Sequence, residues 1–240
     1  MIRGFYTSLS GIISSMTRQA IVADNIANVN TAGFKGSRST QSDFGLTLAS
    51  SLGGTLGPLG TATVPVGLTI DRLQGPMETT ALPTDLAIEG DGLFVIRTAA
   101  GDPGYTRAGA LAVDVAGTLT TQMGEPVLDV SGRPIVVAGG ASTLIVDSNG
   151  NVAGTGQRIA LVAFPAAGIS RRGDNTYAIS APTSPATGRI RQGFIERSNV
   201  DLATSMTELI TLQRSFGLSS RALSIQEQTI GDANDLGRVH

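Results

Sequence analysis

The sequence predicts a mixed α and β protein, with N- and C-terminal helices paired as a coiled coil and a central antiparallel β-rich domain. Three observations carry this reading. The stretch from Ile2 to Val29 places apolar residues at Ile2, Phe5, Leu9, Ile12, Met16, Ala23 and Ile26, in steps of three and four with a gap at Gln19. The stretch from Leu202 to Ile230 does the same at Leu202, Met206, Leu209, Phe216, Leu223 and Ile230, with gaps at Gln213, Ser220 and Glu227. Alternating steps of three and four mark a heptad seam, so these residues are the candidate assembly seam. Between the two stretches, short apolar runs alternate with turn residues, the signature of an antiparallel sandwich or irregular barrel. No segment of crossover-helix length separates those runs, which argues against a parallel sheet.

Composition limits what such a chain does. Its 240 residues are 41% hydrophobic, enough for a real core, but only 4% are aromatic and 31 are glycine. That favours many tight turns over a few large anchors. The formal net charge is −2, from 17 basic and 19 acidic residues without long runs. There is no basic stripe for nucleic acid and no Lys/Arg cluster for a membrane surface. Cysteine is absent, so thiolate and disulfide chemistry are excluded. No apolar run approaches the roughly 18 residues of a membrane-spanning helix, so an integral membrane protein is not expected. Thr7, Ser8, Ser10, Ser14, Ser15 and Thr17 interrupt any signal-peptide core, so a route other than Sec is expected for any exit from the cytoplasm.

Taken in order, the chain divides into 1–35, 36–81, 82–195 and 196–240. The first helix is expected to stop near Asn28, where Asn28-Val29-Asn30-Thr31-Ala32-Gly33-Phe34-Lys35 replaces the heptads with residues that tolerate left-handed backbone or compete for its hydrogen bonds. Asn25 and Asn28 have two open readings: C-terminal capping residues, or amides that fix register among packed helices. Residues 36–81 are Gly-, Pro- and Ser-rich and read as an extended arm, with a strand or helical turn at Gln41–Leu48 and a strand at Val64–Leu73. In the β-rich domain, Leu86–Ile88 and Leu93–Ile96 flank Glu89-Gly90-Asp91-Gly92 and predict a hairpin. Gly90 and Gly92 supply positive φ there, and Phe94 anchors the core. Leu111–Val115 with Leu119, Val127–Val130 with Ile135–Val137, and Leu144–Val146 with Val152 predict further pairs across turns. Arg107, beside Tyr105, reads as a structural hydrogen-bonding or stacking residue. Ser198-Asn199 is expected to cap a second helix beginning near Val200 or Asp201, with Glu196 or Asp201 favouring its dipole.

Four blocks carry a resemblance. Met1-Ile2-Arg3-Gly4-Phe5-Tyr6-Thr7, together with the run from Asn25 to Lys35 that holds Asn28, Thr31, Gly33 and Phe34, comes first. Asp85 to Phe94, Tyr105-Thr106-Arg107-Ala108-Gly109, and Gln192-Gly193-Phe194-Ile195-Glu196-Arg197-Ser198-Asn199-Val200-Asp201 follow in order. Together they closely resemble the bacterial flagellar rod and hook protein family; Leu93 before Phe94 is a mild departure. The resemblance implies a non-enzymatic subunit of the flagellar axis without cofactors, exported by the flagellar type III apparatus. It implies self-association in a helical tube that transmits torque, contact with other rod subunits, and a place in the basal body outside the inner membrane. In that family the helical ends form the inner coiled-coil core and the middle forms an outer β domain. Within the family, the short arm between Lys35 and Asp85 and the ending Gly231 to Arg238 favour the proximal, F-type subunit over the distal, G-type one.

No catalytic or metal constellation is legible. His240 is the single histidine and the last residue, which leaves no dyad and no zinc site. Glu89-Gly90-Asp91-Gly92 lacks the strand–loop–helix context of a phosphate site. Asp147-Ser148-Asn149-Gly150-Asn151 faintly resembles a calcium loop but lacks its closing Glu, and reads as a turn. Two other classes compete: a secreted β-rich adhesin or carbohydrate-binding module, which has no use for paired end heptads, and a glycosidase-like enzyme, which needs two carboxylates in a groove.

Overall fold

The structure is a computed structural model describing residues 2–43, 63–165, 167–173, 175–180 and 183–237. The chain forms two compact units. One comprises residues 1–27, 36–71 and 201–240, the other 28–35 and 72–200. Residues 28–35 and 72–81 therefore belong with the β-rich body.

The first unit holds helix α1 (Ile2–Ala27), strands β1 (Ser37–Asp43) and β2 (Thr63–Ile70), and helix α2 (Leu202–Gly237). The expected strand at 64–73 is β2, while the expected element at 41–48 lies largely outside the described residues. The helices pack on each other. They run antiparallel, because Arg18 Nη2 meets Glu208 Oε1 at 3.0 Å while Gly11 lies opposite Ser219. At Gly11 an added Cβ would make an ordinary contact, 3.9 Å from Ser219 Oγ. β1 and β2 pair antiparallel, with a bulge between Thr40 and Gln41. Asn25 takes neither role expected of it. Its amide donates to Ser37 O at 2.8 Å and accepts from Ser37 N–H at 2.9 Å, so the end of α1 pins the start of β1. α2 begins one residue after Asp201, whose Oδ1 accepts the Thr204 N–H at 2.6 Å. Asp201 is thus the N-cap, and that bond holds its carboxyl below the ordinary range. Ser198 and Asn199 lie too far upstream to cap, since the capping side chain must flank the first helical residue.

The second unit is built from antiparallel strands: β3 (Met77–Thr79), β4 (Leu86–Glu89), β5 (Leu93–Arg97), β6 (Pro103–Thr106), β7 (Leu111–Val113), β8 (Leu119–Thr121), β9 (Leu161–Val162), β10 (Ile169–Gly173), β11 (Thr176–Ile179), β12 (Arg189–Gln192) and β13 (Phe194–Glu196). Five form one sheet in the order β10-β11-β6-β5-β9, while β12 pairs β4, β13 pairs β3 and β7 pairs β8. The expected hairpin of β4 and β5 is not formed. Residues 89–92 instead turn a corner between β4, beside β12, and β5, beside β6 and β9. Both strands have buried inner residues on a shared core, and β5, flanked by β6 and β9, leaves β4 no edge to pair with. That core contains Leu86, Ile88, Phe94, Leu119, Ile135 and Ile190.

Among the described residues one turn recurs five times, starting at Thr98, Asp114, Thr121, Asp129 and Asp147. In each, the first residue's carbonyl accepts from the glycine three positions on, at 2.8–3.0 Å, and its N–H donates to the carbonyl four positions on, at 2.8–3.1 Å. The glycines have φ of 77–89°, which side-chain-bearing residues adopt at a cost. Where the first residue is Asp, its carboxylate also binds the turn's amides. Asp129 Oδ1 accepts from Ser131 and Arg133, and Asp147 Oδ1 from Asn149 and Asn151. Asp147 Oδ2 takes the Asn151 amide at 2.7 Å, so the calcium-like stretch spends its oxygens on its own turn.

Candidate functional site

Two features stand out, one in each unit. The first is the outer surface of the helices. Among the described side chains, the buried positions of α1 are Ser14, Ser15 and Val22, and that of α2 is Leu212. Larger apolar side chains stay exposed: Leu9, Ile13 and Met16 on α1, and Leu202, Met206, Ile210, Leu218 and Ile225 on α2, the last two about two-thirds accessible at 67% and 65%. Of the seam residues read from the sequence, Leu9, Met16, Leu202 and Met206 are exposed, and Ile12, Ile26, Leu209, Phe216 and Leu223 are half-buried. The side chains of Ile2, Phe5 and Ile230, and all of His240, lie outside the described residues. An amphipathic helix normally turns its large apolar residues inward. Here Val22 and Leu212 are buried and five seam residues half-buried, yet eight large apolar side chains among the described ones remain exposed.

The second feature is a buried ion network in the β-rich body. Glu196, the last residue of β13, has a side chain 1% exposed; Lys35 and Arg107 are 2% and 3% exposed. Lys35 Nζ lies 2.6 Å from Glu196 Oε1, and Arg107 Nε lies 2.6 Å from Oε2. Oε1 also accepts the Gly75 N–H at 2.8 Å. Lys35 gives a further bond to Leu73 O at 2.7 Å. The far end of Arg107 binds the 89–92 corner, donating to Ile88 O at 2.7 Å, to Gly90 O at 2.8 Å and to Gly92 O. Charged groups out of water are tolerated only when paired and fully hydrogen-bonded, and these are.

Around that centre the remaining motif residues fall into place. Gly33 donates its N–H to Glu196 O at 2.7 Å and has φ +68. A Cβ there would come within 2.4 Å of the Arg107 carbonyl, so both the backbone conformation and the space demand glycine. Gly109 is equally confined, since a Cβ would lie 1.8 Å from Leu86 O. Phe34 is buried beneath the Arg171 guanidinium, 4.3 Å from its ring centroid. Tyr105 lies buried in β6, paired with Val95 on one side and Tyr177 on the other. Burial pushes the Tyr177 hydroxyl above its ordinary pKa. Thr31 Oγ1 bonds Asn28 Oδ1 at 3.2 Å, closing the turn after α1. Asn199 donates to Leu73 O at 3.0 Å, and the Ser198 hydroxyl accepts the Val200 N–H at 3.3 Å. Gly193 accepts from the N–H groups of Thr80 and Ala81.

The structure thus brings together Lys35 and Gly33 of the first block, Gly90 and Gly92 of the second, Arg107 of the third and Glu196 of the fourth. Sequence reasoning gave Glu196 only a dipole role. The missed signal was chemical: the blocks carry a lysine and an arginine among apolar and small residues, and such cations need a counter-ion. Ile13, Ile210, Leu218 and Ile225 were missed because a single seam was sought on each helix. Apolar residues beyond one seam signal more than one packing partner. Among the described residues, no group of acidic or histidine side chains could hold a metal ion.

Comparison with known proteins agrees with this arrangement. Residues 5–35 match the family described as flagella basal body rod protein, and residues 87–154 match the flagellar hook protein FlgE/F/G D1 domain. Residues 191–236 match the flagellar basal body rod FlgEFG protein C-terminal family. The chain is 35% identical to the flagellar basal-body rod protein FlgG of Bacillus subtilis, over 99% of this chain and 100% of that one. It is 31% identical to the rod protein FlgF of Escherichia coli, over 98% of each chain, and 35% identical to FlgF of Rhizobium meliloti, over 89% of this chain and 88% of that one. G- and F-type relatives match at comparable identity, so the expected preference for the F-type gains no support from them. Kinship over the full length, with both terminal blocks and the β-rich body in register, means that the chain belongs to the family of flagellar basal-body rod proteins.

Proposed function

We propose that this protein is a structural subunit of the bacterial flagellar basal-body rod, built into it through the outward apolar faces of α1 and α2. The observation that carries the assembly mode is the set of eight exposed large apolar side chains among the described residues, three on α1 and five on α2. Burying the exposed half of such a side chain is worth about 1 kcal/mol, so the set offers roughly 8 kcal/mol gross. Association costs of about 4–15 kcal/mol offset most of that for one contact. Faces of this kind therefore hold best in an array, where each subunit is gripped by several neighbours. In this reading the helical ends form the coiled-coil core of a helical tube that passes torque to the hook. The β-rich body sets neighbour contacts.

Self-association, contact with other rod subunits, delivery by the flagellar type III export apparatus and a position outside the inner membrane belong to the same reading. No helix among the described residues is long and apolar enough to cross a membrane. The relatives are structural rod proteins, and the adhesin or carbohydrate-binding alternative has no support. Ile210→Asp and Met16→Asp test the proposal. Each should leave the monomer's thermal midpoint nearly unchanged while abolishing tubes seen by electron microscopy at high protein concentration and swimming in a strain carrying only the variant. Normal tubes and normal swimming with both variants would refute it.

A further inference from the structure

Lys35 is the chain's only lysine, and it is shut inside the β-rich body. Its partner Glu196 comes from the last strand of that body, 161 residues later. Glu196 holds three separated stretches at once: residues 33–35 through Gly33 on its carbonyl and Lys35 on Oε1, Gly75 through Oε1, and Arg107 through Oε2. Among the described residues Glu196 is the carboxylate that both buried cations meet, so without it each loses that counter-charge in a water-poor interior. The same terminal stretch completes two of the body's four sheets. β12 is the partner of β4 and β13 the partner of β3, and Ile190 enters the core beside Gly150, whose Cα would carry a Cβ only 3.2 Å from Ile190 Cδ1.

We propose that Glu196 is a closing latch that makes folding of the whole β-rich body conditional on its final segment, residues 189–196. Until that segment arrives, Lys35 and Arg107 lack their counter-charge, β3 and β4 lack their strand partners, and the 89–92 corner is held by an arginine without a carboxylate. The body therefore closes in a single step rather than growing from its N-terminal strands. A chain delivered N-terminus first stays open until nearly all of it has emerged. The inference concerns folding order and stands whether or not the assembly reading holds.

The sole lysine supplies the probe. The full chain is refolded by dilution from urea and pulsed at intervals with an amine-acylating reagent or with deuterium, and both labels are read by peptide mass spectrometry. The α-amine at Met1 serves as the reactivity control. The expected result is that Lys35 becomes unreactive in the same phase in which the Leu119, Val127 and Ile135 amides become protected. Those three amides close a ring of backbone bonds inside the core, Leu119 to Ile135 O, Ile135 to Val127 O and Val127 to Leu119 O. Core protection that precedes Lys35 burial by tenfold or more in rate overturns the proposal. In native Glu196→Gln, Lys35 acylation and core exchange should rise together by at least tenfold. A rise at Lys35 alone, or no rise at either, would show a local contact instead. If Glu196→Gln does not fold, the wild-type pulse experiment still decides.

Discussion

Removing Glu196 should be far more costly than removing Lys35, although the two are partners. The reason is that, among the described residues, two buried cations share the one carboxylate of Glu196. Glu196→Ala strands both cations and takes the acceptor from the Gly75 N–H. Breaking a buried ion pair in that sense costs about 3–5 kcal/mol, and a buried N–H left unpaired adds about 1–3 kcal/mol. Lys35→Met removes the excess cation and keeps most of the apolar stem. Glu196 then retains Gly75 and Arg107, and Leu73 O retains the Asn199 amide. Its expected cost is below about 2 kcal/mol. Set against the 5–15 kcal/mol typical of a folded domain, Glu196→Ala brings the body close to unfolding, whereas Lys35→Met does not. Urea unfolding at neutral pH, followed by far-ultraviolet circular dichroism, gives both numbers from midpoint and slope. In melting experiments, at about 2–4 °C per kcal/mol, the alanine variant should fall by roughly 10–25 °C. A Lys35→Met variant as damaged as Glu196→Ala would refute the charge-balance reasoning.

Three further outcomes follow from described contacts. Gly33→Ala places a side chain on a residue with φ +68 and against the Arg107 carbonyl, and should cost at least about 2 kcal/mol in the same urea assay. Gln192→Ala strips partners from Pro83 O, Leu144 O and the Val146 N–H, and should lower stability by about 2–3 kcal/mol, with faster hydrogen exchange at Val146. Asp129 is held below its ordinary pKa of 3.8, first by the Arg133 backbone N–H. Its ionised form therefore contributes stability above that value, and the contribution is lost as pH falls through the lower folded-state pKa. Wild type should exceed Asp129→Asn in thermal midpoint at neutral pH, and the gap should shrink in scans taken below about pH 4.

The helical ends and the β-rich middle were legible because periodicity is a local property: Leu9, Ile12 and Met16 mark a helix without reference to anything distant. Turn chemistry was equally local, and Asp129-Val130-Ser131-Gly132 and Asp147-Ser148-Asn149-Gly150 fold as turns. What failed were statements about partners. The Glu89 to Gly92 stretch has the composition of a hairpin loop, but whether its flanking strands pair depends on β12 and β6, which lie elsewhere in the chain. Lys35, Arg107 and Glu196 sit in separate blocks, and no spacing rule links residues 161 and 89 positions apart. Asn25 reads as a cap or a seam amide because only neighbours on the helix are visible in sequence; its real partner, Ser37, comes after a turn. The seam residues were chosen as one line per helix, while the structure leaves Ile13, Ile210, Leu218 and Ile225 exposed beside it.

The five repeated turns have an engineering consequence. Each is closed by backbone bonds between its first, fourth and fifth residues, so the two central side chains take no part in the closure. Val115 stands at such a position, fully solvent-accessible at 109%. Central residues such as Val115 and Met123 are free to vary without disturbing the scaffold, and they are where a lineage can revise its surface chemistry cheaply. The chain contains no cysteine, so a single Val115→Cys substitution provides a unique attachment point for a dye or spin label. Labels at two such tips would turn the β-rich body into a molecular ruler for following its motion in a working rod.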